Sequence, residues 1–179
     1  MNAEKILLVY DSAYGTTAEV ANVIADHMVN SGFSVCVQPA NQARAPEADE
    51  KVILGSPIRY EKWMPALIHY IQKNEHALSQ ANVAYFYTCM AHASITDKDA
   101  LNHGVYDQKL RLLSPKIKPI SIGGFAGVLN YRAMSFFIRL MMRLIARKQH
   151  IPEGDYRNWR EIRHWCDTLA AAWHPTELS

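Results

Sequence analysis

The stretch Lys5-Ile6-Leu7-Leu8-Val9-Tyr10-Asp11-Ser12-Ala13-Tyr14-Gly15-Thr16-Thr17 decides the fold. Its first six residues are a short, nearly continuous apolar run, the pattern of a strand covered on both faces. A small polar loop follows. Thr17–Asn30 then places Val20, Ile24 and Met28 at helical spacing, with Gly32 as a stop signal. The loop combines hydroxyl side chains, a glycine and the start of a helix. Free backbone N–H groups and the positive end of the helix dipole suit a phosphate there. The hydroxyls can donate to its oxygens, and Gly15 permits a close turn. No Lys or Arg lies in the loop, so the expected ligand is a monoester rather than a triphosphate cradled by a lysine-bearing loop. For any one of these residues the competing reading is a plain N-cap that opens the helix.

Working outward, the alternation repeats. Ser34–Gln38, Lys51–Gly55, Val83–Thr88 and Pro119–Gly124 read as four further strands. Met64–Lys73 is helical through Leu67, Ile68 and Ile71, and Lys109–Leu113 ends another helix. Tyr156–Trp173 closes the chain with Trp159, Ile162, Trp165, Cys166 and Leu169 at helical intervals. Strands alternating with helices imply an α/β fold, a parallel sheet wound by right-handed crossovers. Five strands fit the order 2-1-3-4-5 with helices on both faces, and ligands in such sheets bind at the carboxyl ends where the order reverses. The loops after strands 1, 3 and 4 are therefore where chemistry is expected, with strand 2 at an edge.

After strand 3 the chain reads Gly55-Ser56-Pro57-Ile58-Arg59-Tyr60-Glu61-Lys62-Trp63-Met64-Pro65. A Ser-Pro turn breaks the strand, and Pro65 suits the first turn of a helix. Strand 4 runs into Thr88-Cys89-Met90-Ala91-His92. Cys89 reads either as a redox thiol or as a small residue that fits a slot; no second Cys lies near it in sequence. His92 has no assigned role. The histidines show no paired ligand spacing, so no metal is expected.

Length and composition bound the rest. The 179 residues, 49% hydrophobic and 20% charged, suit one globular domain over residues 1–179, with a late helical insertion at about 127–155. Three cysteines far apart make no disulfide framework and favour a reducing compartment. The N-terminus has no signal-peptide pattern, and no run of about 18 uncharged apolar residues occurs, so no spanning helix is expected.

The formal charge of +2 is a cancellation. Residues 1–131 hold 11 basic and 12 acidic side chains, whereas residues 132–148 hold 5 basic and none acidic. The sequence Tyr131–Lys148 is periodic. At about 100° per residue, Arg132, Arg139, Arg143 and Arg147 fall within an arc of about 80°. Met134, Phe137, Ile138, Met141, Leu144 and Ile145 take the other face. Three readings of this cationic amphipathic helix stand open: a core helix with a solvated face, a helix lying on an anionic membrane surface, and a protein or homodimer interface. Nucleic acid is not an expected partner, because basic residues are sparse elsewhere.

The pattern Ser12-x-Tyr14-Gly15-x-Thr17 after a first strand resembles the FMN-phosphate loop of the flavodoxin family. That resemblance implies FMN as cofactor, with Ser12, Ala13, Tyr14, Gly15, Thr16 and Thr17 around its phosphate. It sets Ser56, Pro57, Ile58, Arg59 and Tyr60 along the flavin ring, and Thr88, Cys89, Met90 and Ala91 at the ring's other edge. Arg59 then favours an anionic flavin or an acidic substrate, or is a solvated surface residue. The family often carries Gly where this chain has Glu61.

With Ile58-Arg59-Tyr60, Gly123-Gly124 and the late Met- and Arg-rich helix, the whole chain resembles the flavodoxin-like, quinone-dependent protoporphyrinogen IX dehydrogenases of bacteria. The resemblance implies an FMN-dependent oxidoreductase that oxidises protoporphyrinogen IX and passes electrons to menaquinone or ubiquinone. It gives Arg132, Arg139, Arg143 and Arg147 to substrate propionates or the membrane. The implied location is cytoplasmic, peripheral on the inner face of the cytoplasmic membrane. Two alternatives share the flavin loops: an NAD(P)H:quinone reductase and an electron-transfer flavoprotein. Electron carriers of this kind are typically strongly acidic, and a sequence pI of about 8.4 argues against the second.

Overall fold

The computed structural model describes residues 3–90, 98–129 and 153–174, with the side chains of 98–103 left aside. Apolar runs become strands β1 (Lys5–Tyr10), β2 (Ser34–Pro39), β3 (Lys51–Pro57), β4 (Asn82–Cys89) and β5 (Ser121–Ala126). Between them lie α1 (Thr16–Asn30), α2 (Pro65–Lys73), α3 (Glu75–Gln80) and α4 (Lys98–Leu113), and α5 (Trp159–Trp173) closes the described part. The five strands form one parallel sheet in the order β2-β1-β3-β4-β5, as the alternation predicts.

Burial follows from that order. Ile6–Val9, Val52–Leu54 and Val83–Tyr87 are almost wholly inaccessible, which central strands covered on both faces require. β2, at the edge, is half-buried. Successive side chains of a strand point to opposite faces, so the core divides in two. Ile6, Leu8, Ile53 and Phe86 pack with Val20, Ile24 and Met28 of α1 and with Ile162, Cys166 and Trp173 of α5. Leu7, Val9, Leu54 and Tyr85 pack with Leu67 and Ile71 of α2, Leu78 of α3 and Leu110 of α4. A Cβ on Gly55 would overlap the Phe86 ring, so any larger residue there would displace that buried ring.

Two elements carry no signal in the sequence. α3 is a short turn of helix that follows α2 after Asn74. A two-stranded antiparallel ladder pairs β6 (Val128–Leu129) with β7 (Gly154–Asp155). It closes the base of the expected insertion. The segment 130–152, which contains the expected helix with Arg132, Arg139, Arg143 and Arg147, lies outside the described residues, as does Ala91. Among the described residues no helix is long and apolar enough to cross a membrane.

Candidate functional site

β2 and β3 flank β1 on opposite sides, so the chain leaving β1 and the chain leaving β3 turn to opposite faces of the sheet. Their loops leave the carboxyl edge where the strand order reverses, the place where the ligand crevice of such sheets is expected. Backbone bonds stitch the neighbouring loops together: the Asp11 N–H donates to the Gly55 carbonyl at 2.9 Å and the Ile58 N–H to the Thr88 carbonyl at 2.8 Å.

In the loop after β1, Gly15 is the N-cap of α1 with φ 85°, in the left-handed region where glycine carries no steric cost. No side chain caps this end in the usual way. Ser12 Oγ instead accepts from the Ala18 N–H at 3.4 Å, a long bond. The N–H groups of Gly15, Thr16 and Thr17 have no acceptor among the described residues, and nothing lies within 4 Å of where a Gly15 Cβ would stand. Apart from the long Ser12 bond, the helix start therefore keeps unspent backbone donors among the described residues, with open space beside Gly15.

Thr17 departs from the expected arrangement. Its side chain is buried, and Oγ1 pairs with Thr88 Oγ1 at 3.0 Å. A hydroxyl both donates and accepts, so one such bond leaves capacity for another. Ser56 is likewise inaccessible; its hydroxyl donates to the Pro57 carbonyl and accepts from the Met64 N–H at 3.0 Å. It shapes the loop after β3 from within.

That loop carries the outward chemistry. The Arg59 N–H and carbonyl bond to the Lys62 carbonyl and N–H, making a tight turn with Tyr60 and Glu61 at its centre. Their φ values of 49° and 60° are those of a type I′ turn, which normally selects Asn-Gly. The turn thus takes a glycine-like shape although this chain has Glu61. Lys109 of α4 holds it, donating to the Glu61 carbonyl at 3.0 Å and approaching its carboxylate at 3.4 Å. Non-glycine residues in this region cost roughly 1–2 kcal/mol each, and such strain gathers at functional sites.

Arg59 spans the mouth of the crevice. Its Nη2 donates to the Tyr14 hydroxyl at 2.9 Å, and its guanidinium lies 4.8 Å from the Tyr14 ring and 5.6 Å from the Tyr60 ring. Tyr60 is 64% exposed. Arg59 is thus no merely solvated residue; it joins the loops after β1 and β3. At the end of β4, Thr88 turns toward Thr17, whereas Cys89 is buried with Sγ 3.8 Å from the Tyr106 hydroxyl of α4. Desolvation pushes the Tyr106 hydroxyl well above the usual tyrosine range. Pro57, Ile58 and Met90 are half-buried along the crevice.

One cation near the site has no local signal in the sequence. Arg157 reaches the Thr16 carbonyl at 3.3 Å across 141 positions. Lys109 also comes to the turn only through the packing of α4.

A doubly wound sheet of this order, with a neutral donor-lined loop after β1 and an aromatic turn after β3, defines a flavodoxin-type protein. The family model described as "Flavodoxin domain" matches residues 7–155, and the chain belongs to that family. Membership implies a flavin cofactor. The chain is 27% identical over 176 residues to the protoporphyrinogen IX dehydrogenase (quinone) of Leishmania major, covering 93% of this chain and 75% of that protein. It is 24% identical over 174 residues to the protein of the same name from Escherichia coli (strain K12), covering 93% and 94%. Among solved structures, oxidised flavodoxin 2 from Bacillus cereus superposes with a TM-score of 0.56 at 18% identity, covering 96% of this chain and 98% of that one. This last likeness concerns the fold alone.

Proposed function

We propose that the chain is an FMN-dependent oxidoreductase that converts protoporphyrinogen IX to protoporphyrin IX and delivers the electrons to a membrane quinone, menaquinone or ubiquinone. The observation that carries the reading is the likeness, along 93% of the chain, to relatives bearing that activity in their names. Six electrons and six protons leave the tetrapyrrole in three two-electron oxidations, each matched by reduction of one quinone to a quinol.

The residues present fit FMN. The unspent N–H groups of Gly15–Thr17, the open space beside Gly15 and the hydroxyls of Ser12 and Thr16 are suited to a phosphate monoester. By the same reading Tyr14 and Ala13 would complete that loop; the segment Ser56, Pro57, Ile58, Arg59 and Tyr60 would line one side of the ring, and Thr88, Cys89, Met90 and Ala91 the other. Bound there, FMN supplies hydride acceptance and stepwise return of electrons. The protein's part is to hold substrate and cofactor in register. Arg59, with no carboxylate partner among the described residues, supplies positive charge at the mouth. Arg132, Arg139 and Arg143 suit substrate propionates as bidentate partners. Together with Arg147 they concentrate positive charge that would suit the anionic cytoplasmic membrane surface, beside a lipid quinone.

The test is anaerobic reduction of the flavin-loaded protein by protoporphyrinogen, with NADPH in parallel. Bleaching by the porphyrinogen and not by NADPH is expected. Bleaching by NADPH alone overturns the reading in favour of an NAD(P)H:quinone reductase.

A further inference from the structure

The first turn of α1 holds a contradiction for a phosphate site. Glu19 stands in it, and a carboxylate there, favourable to the helix dipole, repels a phosphate dianion bound at the same end. Its partner is Arg157. One guanidinium nitrogen, Nη1, bonds the Glu19 carboxylate at 2.6 Å and the Thr16 carbonyl at 3.3 Å. Nε and Nη2 grip Asp155 of β7 at 2.9 and 2.6 Å, and the Arg157 N–H donates to the same carboxylate at 3.0 Å. The guanidinium lies 4.5 Å from the Trp159 ring. The Arg157 side chain is only 9% exposed.

These bonds use most of the donors an arginine has. Arg157 is therefore placed to serve the loop rather than to grasp a ligand itself. Its bonds to Asp155 hold that carboxyl below the usual carboxylate range and fix the guanidinium in orientation. The fixed guanidinium, shared between two carboxylates, offsets part of the Glu19 charge and clasps the first helical carbonyl.

We infer that Arg157 is a positioning residue for the anion-binding loop: it partly offsets the charge of Glu19 and sets the first turn of α1, so that Gly15–Thr17 present their N–H groups to a phosphate monoester. The inference rests on the FMN reading above. A residue that merely stabilises the fold affects any flavin alike, whereas this role concerns only the phosphate. Riboflavin, which has the ring and lacks the phosphate, separates the two.

The experiment titrates the flavin-stripped full chain with FMN and with riboflavin at low salt, following quenching of flavin fluorescence. Arg157→Gln is expected to weaken FMN about tenfold and leave riboflavin within about twofold. Glu19→Gln, at an exposed position that folding tolerates, is expected to tighten FMN several-fold and leave riboflavin unchanged. The double variant is expected to regain near-native FMN affinity. Equal losses for both flavins in Arg157→Gln, or unchanged FMN affinity in both single variants, overturn the inference while leaving FMN binding intact. If Arg157→Gln does not fold, the Glu19→Gln titration decides alone. A wild-type chain that binds neither flavin refutes the FMN reading itself, and the inference with it.

Discussion

Thr17 Oγ1 and Thr88 Oγ1 lie 3.0 Å apart with both side chains buried, joining the first turn of α1 to the end of β4. Two loops that belong to different crossovers are thereby locked in register at the site. Thr88→Val keeps the shape and orphans one hydroxyl, which is expected to cost about 1–2 kcal/mol and lower flavin retention. Removing both hydroxyls in Thr17→Val/Thr88→Val should recover part of that stability. Urea unfolding of the double-mutant cycle reads the coupling; strictly additive losses would show that the pair contributes nothing.

Gly15→Ala places a side chain at φ 85° where space is open but the backbone is disfavoured. The expected stability cost is about 1 kcal/mol, from the backbone alone. Flavin content after purification is expected to collapse, because the loop's N–H groups no longer aim together. Full flavin occupancy would remove the phosphate from this loop.

Glu61→Gly relieves a left-handed residue in the turn after β3. It removes only a long contact between exposed charges, while the Lys109 bond to the backbone carbonyl stays. A gain of about 1 kcal/mol is expected, seen as a rise in Tm of roughly 2–4 °C. A fall in Tm would mean that the carboxylate, not the turn geometry, holds the loop.

Glu50, almost inaccessible, accepts from Arg44 at 2.7 and 2.8 Å and from the Glu47 N–H at 3.0 Å. Burial raises its pKa; those hydrogen bonds outweigh burial and leave the carboxyl below its ordinary value of 4.5. The folded pKa is therefore depressed, so its stabilisation is present above pH 4.5 and is lost as pH falls through the folded value. Glu50→Gln is expected to cost about 1–3 kcal/mol at neutral pH and to flatten the acid limb of the stability profile. An unchanged acid limb would refute that assignment.

Reversing charge in Arg139→Glu/Arg143→Glu tests the membrane part of the proposal. Co-sedimentation with anionic vesicles should drop by roughly tenfold or more, at about 1 kcal/mol for each basic residue lost near the surface. Equal binding by both proteins leaves the basic segment 132–148 to the substrate or to a second subunit.

Much of this protein is a local matter. Apolar runs such as Lys5–Tyr10 fix strands, and punctuation such as Gly32 and Pro65 fixes where helices stop and start. That the sheet is parallel follows from alternation, and five strands fit its order. The donor-lined helix start was legible too, because Ser12–Thr17 are consecutive. What those hydroxyls do was not: Thr17 and Ser56 look like ligands in sequence, yet each spends a bond inside the protein. The strained Tyr60–Glu61 turn was hidden as well, since nothing in a Tyr-Glu pair announces positive φ.

The sequence by itself determined a five-stranded doubly wound sheet, the loops that face its crevice and the concentration of positive charge in residues 132–148. Each depends on neighbours along the chain, through hydrophobic period, turn chemistry and charge run. Only the tertiary structure decided which polar groups are spent and which are free. Arg157 meets Thr16 and Glu19, Arg59 meets Tyr14, and Lys109 meets Glu61 because the packing of strands and helices brings them within hydrogen-bond reach. Such bonds act over about 3 Å, so their partners are chosen by folding rather than by position in the chain.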